Sequence, residues 1–391
     1  MDSSLFRFFI SGEEREILPG SRFWKILLSG EDTGSSSNTS PAHSHSKTIV
    51  TIGDYFSAAR QFLSKNDFTL LKSGLETVCK RSVQTDQMSK ISVFLEKHGA
   101  LYHPLKIQVF DNKSRSCSFV LNGAVSKPGL SLINDEYHLI SGLNKAYFKH
   151  YLPQVFGKGF IKTDKGTIGF FLGEWFDGYK EFHVTRVQDK RQVVIWESNG
   201  SCRYISETDA LEIYQEIARI LTYYYDLETF EQIFPWHHAA GDFIVQRKEG
   251  NIHVRLVAVR GYSPLTEFGA EGPDKKVHIL PSLLFFFLNL TFRMRFDRLN
   301  GTGEAMMLKK SVIKATIEGF FESLDVKSGC YDYGDLRSVF FLFFKQFSLK
   351  QIMEMMENIL ESYPPYPSES VLIEENFESH CTLLHSIFKN S

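Results

Sequence analysis

The sequence has no cysteine pair at metal-clip spacing. Its five cysteines, Cys79, Cys117, Cys202, Cys330 and Cys381, are odd in number, far apart and never in a C-x-x-C arrangement. Neither a disulfide framework nor a zinc ribbon is expected from that pattern, which predicts reduced thiols in a cytoplasmic protein. An excess of either charge is missing too: 44 Lys and Arg stand against 46 Asp and Glu, a net charge of -2. No overall field draws the chain to a phosphate backbone or an anionic bilayer, so nucleic acid and membrane are excluded as main partners. Long hydrophobic runs are absent as well. The longest, Ile279 to Leu290, is broken by Pro281, Ser282 and Asn289 and followed by Arg293, Arg295 and Arg298. A membrane span needs ~20 apolar residues, so this run predicts a buried helix. Met1 to Ile10 lacks the basic flank, apolar stretch and cleavage site of a secretory signal, and no internal repeat is found.

What is present is bulk for a core. Of 391 residues, 43% are hydrophobic, with 35 Phe and 16 Tyr, enough for one large two-lobed unit or two packed domains. The segment 30–47 is rich in Ser, Gly and Thr and buries too little apolar area to offset the entropy of ordering, so a disordered loop is expected there. His43 and His45 within it lack a third ligand at metal-binding spacing. From Thr51 to Val78 apolar residues recur at helical spacing and predict two helices. The short runs Ile91–Leu95, Leu105–Phe110 and Cys117–Leu121, separated by turn residues, predict three antiparallel strands. A helix starting near Asn134-Asp135-Glu136 follows, then strands around Gly159–Thr163 and Ile168–Trp175. Next come a hairpin, a long helix at about Glu207–Tyr225, a second hairpin (Phe243–Gln246 and His253–Val257), and a helical remainder interrupted by a proline-rich break at 363–367.

This order resembles that of the protein-kinase-like fold, in particular its aminoglycoside and choline phosphotransferase branch. The resemblance spans roughly residues 90–300. It implies an α+β, two-lobed molecule with an antiparallel-sheet N-lobe at 86–176, a mostly helical C-lobe at 177–391 and an N-terminal extension at 1–85. Lys127, after Ala124-Val125-Ser126 at the end of the third strand, takes the place of the family's phosphate-contacting lysine, and Glu136 that of its carboxylate partner. Phe171-Leu172-Gly173-Glu174-Trp175-Phe176 looks like the hinge whose backbone pairs with adenine, which makes Glu174 and Trp175 nucleotide contacts. The stretch from Trp236 through His237, His238 and Asp242 to Val245 looks like the catalytic loop. Val254 to Gly261 takes the place of the metal-binding strand, with Arg260 as a phosphate contact.

Phosphoryl transfer needs a cation on the phosphates, oxygen ligands on magnesium and a carboxylate that orients the nucleophile. The matching positions supply only part of this set. Asp242 stands at a metal-binding position, but the nucleophile-orienting aspartate falls at His237, or His238 if the loop is shifted. The second magnesium ligand falls at Val259, which has no oxygen to give. The glycine-rich phosphate cover at 96–101 has one glycine, and Lys127 and Glu136 are close in sequence for the usual pair.

The resemblance therefore implies a pseudokinase that binds ATP, another nucleotide or a small ligand, or that serves as a scaffold for a protein partner. The alternative is an atypical ATP- and magnesium-dependent phosphotransferase using Asp242 with His237 or His238; an α+β binding protein outside this family is a third reading. Structural roles compete at each position: an exposed lysine at Lys127, a helix N-terminal carboxylate at Glu136, a turn residue at Asp242, packed histidines at His237 and His238, and a salt-bridged arginine at Arg260. Arg293, Arg295, Asp297 and Arg298 are expected on a helix end. Val339, Phe340, Phe343, Phe344 and Phe347 are expected in the core.

Overall fold

The computed structural model describes residues 5–12, 15–28, 49–96, 102–188, 190–197, 201–238, 241–265, 275–362 and 369–390. The polar segment 30–47 with His43 and His45, residues 97–101 of the phosphate cover and the proline-rich break lie outside them. The chain divides into two units, Met1–Asp177 and Gly178–Ser391.

In the first unit the elements are β1 (Phe6–Ile10), α1 (Ile52–Leu63), α2 (Lys65–Val78), β2 (Met88–Leu95), β3 (Leu105–Asp111), β4 (Ser116–Ala124), α3 (Lys127–Ala146), β5 (Val155–Thr163) and β6 (Gly166–Glu174). They form an α+β arrangement around a six-stranded sheet of order β1-β2-β3-β4-β6-β5. All its pairings are antiparallel except that of β1 with β2. Leu105, Ile107 and Val109 alternate inward along β3, as the two-residue period of a strand requires. Helix α1 starts at a reciprocal Thr51–Asp54 cap and lays Tyr55, Phe56 and Phe62 into the core with Phe170. The first 85 residues supply β1, α1 and α2 to this core: Phe6 and Phe8 are buried in it beside Ile91 and Val93.

Two expectations are corrected in this unit. Helix α3 begins at Lys127 rather than near Asn134, because the Ser126 hydroxyl accepts from the Gly129 N–H and Pro128 fits the first turn. Lys127 is thus a helical residue, not the end of a strand. Cys79 and Cys117, expected as reduced thiols, form a disulfide between the end of α2 and β4, with Cα atoms 6.3 Å apart. Their 38-residue separation hid a proximity that only packing of α2 on the sheet creates.

In the second unit follow β7 (Lys180–Val187), β8 (Lys190–Trp196), β9 (Cys202–Tyr204), α4 (Glu207–Tyr223), β10 (Glu231–Ile233), β11 (Phe243–Lys248), β12 (Asn251–Leu256), β13 (Tyr262–Pro264), α5 (Ile279–Arg293), β14 (Phe296–Arg298), β15 (Ala305–Met307), α6 (Ser311–Ser328), α7 (Leu336–Phe344), α8 (Leu349–Ser362) and α9 (Ser370–Lys389). The two expected hairpins join into one sheet of order β12-β11-β7-β8-β9. The apolar run at 279–290 is the buried helix α5, and among the described residues no helix is long and apolar enough to cross a membrane. Phe287 on α5 packs against Phe320, Phe340 and Phe388 at centroid distances of 4.6, 5.2 and 5.7 Å, tying α5 to α6, α7 and α9.

The polar end of this run departs from expectation. Helix α5 stops at Arg293, and Asp297 and Arg298 lie on β14, paired with β15. Arg295 and Asp297 are both buried. On α7 only Phe340 and Phe344 of the expected core set are fully buried, while Val339 is exposed.

Candidate functional site

In the second unit the segment Pro235-Trp236-His237-His238 leads from β10 toward β11. It is folded back by a hydrogen bond from the Gly241 N–H to the His238 carbonyl, 3.0 Å. Gly241 has φ +73°, a backbone region that disfavours side chains with a Cβ. The turn delivers Asp242, 1% exposed, to a fixed position. Its Oδ2 accepts from the His237 backbone N–H at 2.8 Å, and the Val257 N–H donates to its carbonyl at 2.8 Å. The Arg260 guanidinium grips both carboxylate oxygens, Nη1 on Oδ2 and Nη2 on Oδ1. Such a fork is the strongest geometry open to a guanidinium and a carboxylate. Asp242, expected as a metal ligand, thus has a cation of the chain's own on both oxygens, and Arg260 takes the salt-bridged role. Val259 between them is buried.

His237 and His238 turn toward Asp297. Their ligand-type atoms and a carboxylate oxygen of Asp297 all lie within 4.8 Å of one another. His238 Nδ1 and Asp297 Oδ2 are 3.8 Å apart, too far for a hydrogen bond, and both atoms are buried with no hydrogen-bond partner. Leaving such atoms unsatisfied costs about 1–3 kcal/mol each. The other oxygen of Asp297 accepts from the Arg298 N–H at 2.7 Å, and His238 Nε2 meets Met294 Sδ at 3.4 Å. The Tyr214 ring lies 5.5 Å from that of His238, and the Tyr214 hydroxyl and His183 Nδ1 are further buried polar atoms without a hydrogen-bond partner.

Burial governs the protonation of this group. It pushes Asp297 up to about 7, against a hydrogen bond from the Arg298 backbone and the proximity of His183. Burial, then the charges of Arg298, Arg260 and Arg293, pull His237 down to about 4. Burial, then His237, pulls His238 well below the ordinary imidazole range, against the opposing pull of the Phe296 backbone. Both imidazoles are therefore neutral near pH 7, with a lone pair on one ring nitrogen each.

The residues singled out in the first unit do not assemble as the resemblance implies. Glu136 is buried, and its Oε2 accepts from the Tyr102 hydroxyl at 2.6 Å. Lys127 is exposed at the start of the same helix. Nine residues at a rise of 1.5 Å each separate the two by roughly 13 Å along the axis, beyond the reach of an ion pair. Glu174 ends β6; its backbone N–H donates to the Gln154 carbonyl at 2.8 Å, and its side chain accepts from the Gln154 N–H at 3.2 Å. The Glu174 N–H is already engaged within the fold. Trp175 carries the Lys106 ammonium 4.8 Å from its ring centroid.

Asp297 escapes sequence reasoning as a site residue because its spacing assigns it to a helix end. Its one visible signal is a carboxylate set among arginines directly after a mostly apolar helix. Tyr214 and His183 give no signal apart from the chemistry of their side chains.

No family model matches the chain, and no curated protein does. Among solved structures it is similar to the Drosophila melanogaster PAN3 pseudokinase, at 11% identity over 73% of this chain and 66% of that one, with a TM-score of 0.24. The chain thus spans just under two thirds of the length of that structure. At this level the likeness carries no argument, and function has to be read from the chain's own elements and side chains.

Proposed function

We propose that this chain is a protein-kinase-like protein that does not carry out magnesium-dependent phosphoryl transfer. It binds a nucleotide or small ligand, or serves as a scaffold for a protein partner. Support for the fold comes from element order: three antiparallel strands, α3 and two strands in the first unit, then a hairpin, the long helix α4, a second hairpin and helices in the second. The observation that carries the functional reading is the grip of Arg260 on Asp242. A magnesium ion needs carboxylate oxygens, and here a guanidinium holds both. The alternative, an atypical phosphotransferase, requires Arg260 to release them. The Cys79–Cys117 disulfide removes the reduced-thiol argument for a cytoplasmic location, and leaves Cys202 and Cys330 as exposed thiols.

The test is a thermal-shift titration of the full chain with ATP, ADP and GTP, with and without magnesium. A ligand at 100 times its dissociation constant stabilises by about 2.7 kcal/mol, which is readily seen. A nucleotide shift of equal size with and without magnesium is expected for the ligand-binding form, and no shift for the scaffold form. A shift that requires magnesium and disappears in Asp242→Ala would overturn the reading in favour of the phosphotransferase.

A further inference from the structure

We propose that His237, His238 and Asp297 form a binding site for one divalent transition-metal ion of the kind that favours imidazole, with zinc as its representative. Its carboxylate is that of Asp297, not the Asp242 carboxylate that Arg260 holds.

The donor set is the first argument. Two imidazole nitrogens and one carboxylate oxygen suit zinc and its transition-metal neighbours, whereas magnesium and calcium prefer all-oxygen sets. Geometry is the second. Bonds of 2.0–2.1 Å in a tetrahedron place neighbouring ligand atoms about 3.3 Å apart. The pair His238 Nδ1 and Asp297 Oδ2 stands at 3.8 Å, and all three ligand atoms lie within 4.8 Å. Each has to move inward by less than about 1 Å, within the range of small side-chain rotations.

The third argument is what the surroundings leave undone. His238 and Asp297 are 1% and 2% exposed, and the two atoms that face each other lack hydrogen-bond partners. A cation between them satisfies both at once. The remaining oxygen of Asp297 is fixed by the Arg298 N–H, the kind of outer contact that orients a metal-ligating carboxylate. Three protein ligands leave a fourth position for water, as in open zinc sites.

The elements that bring the ligands together are distant in sequence. The histidines precede β11, and Asp297 sits on β14 beyond the apolar helix α5. Adjacent histidines cannot report a metal site by spacing alone, because their third ligand comes 59 residues after His238.

The experiment measures metal bound to the full-length protein after chelator treatment and reloading with zinc, and separately with cobalt(II). Zinc K-edge absorption on the wild type gives the ligand shell directly. The expected result is one equivalent of zinc in a shell containing two imidazoles and oxygen donors, with visible cobalt absorption of a low-coordinate site. His238→Gln and Asp297→Asn, each checked for native circular dichroism, are expected to weaken zinc at least tenfold. A double variant, His43→Gln with His45→Gln, is expected to leave binding unchanged. No zinc retained by the wild type, a shell without two imidazoles, or binding that survives both ligand variants but vanishes in the double variant would each overturn the proposal. The absorption measurement keeps it falsifiable if a variant fails to fold.

Discussion

Arg260 and Asp242 form a two-pronged ion pair in which the carboxylate is 1% exposed and the guanidinium side chain remains 31% exposed. The asymmetry decides what each half contributes. Removing the arginine strands a charge that water cannot reach, whereas removing the aspartate leaves a cation with partial access to solvent.

Arg260→Ala is therefore expected to lower unfolding free energy by about 3 kcal/mol, the low end for breaking a buried pair from one side. The double variant Arg260→Ala with Asp242→Ala should recover part of that loss. Urea denaturation of the four proteins in the cycle checks it, and equal losses in all three variants would contradict the asymmetry.

His380, on α9, is fully buried; its Nδ1 lies 3.4 Å from Arg295 Nη1 and its Nε2 3.5 Å from the Thr291 hydroxyl. Burial, then the Arg295 charge, holds its pKa down to about 3, against an ordinary value of 6.5. The unfolded chain binds this proton below about pH 6.5 and the folded one only near pH 3. Stability from this residue is thus complete above pH 6.5 and lost as pH falls toward 3, at about 1.4 kcal/mol per unit. Asp297, raised to about 7, acts in the opposite direction between about pH 4 and 7. The difference between wild type and His380→Gln isolates the histidine. The variant is expected to lose less stability from pH 6.5 to 4.5, and an unchanged pH slope would contradict the assignment.

Gly319 lies where α6 crosses α4, and a Cβ there would run into the Gln215 backbone carbonyl. Backbone cannot step aside as a side-chain tip can, so the two helices would have to separate. Gly319→Ala is expected to cost about 1–3 kcal/mol, despite the higher helix propensity of alanine. Thermal unfolding of the variant decides between the packing cost and the propensity gain, which have opposite signs.

The Cys79–Cys117 disulfide closes a loop of 38 residues. On the chain-entropy account a loop of that length contributes about 4 kcal/mol to stability. Cys79→Ser with Cys117→Ser, or reduction of the wild type, should lower the denaturant midpoint accordingly. No change in midpoint would mean that residual structure keeps these two segments close in the unfolded chain even without the bond.

Most of the sheet and helix pattern is legible in the sequence because burial stamps a period on it. Leu105, Ile107 and Val109 alternate along β3, and the apolar stretch of α5 is too short and too interrupted for a membrane. What stays hidden is pairing across distance. Nothing local tells Asp297 that it faces His238, or Cys79 that it meets Cys117. Helix α3 starts earlier than its pattern suggests: Asn134, Asp135 and Glu136 make a plausible beginning, but the Ser126 cap and Pro128 nearer the strand set the true one. The candidate site is half visible. Sequence locates the loop from His237 to Asp242 and offers Arg260 as a salt-bridged arginine, whereas the carboxylate that Arg260 holds, and the approach of Asp297 to His238, become apparent only once the chain is folded.

Strand β1 lies along β2 in parallel register from Phe6 opposite Ile91 to Ile10 opposite Leu95. It covers a row of backbone donors and acceptors on β2 that would otherwise form the open margin of the sheet. An open margin of this kind is a template for another chain's strand. Residues 6–10 thus move the margin of the sheet from β2 to β1, and a version of the protein that begins after them bares β2 in their place and takes Phe6 and Phe8 out of the core that holds Ile91 and Val93.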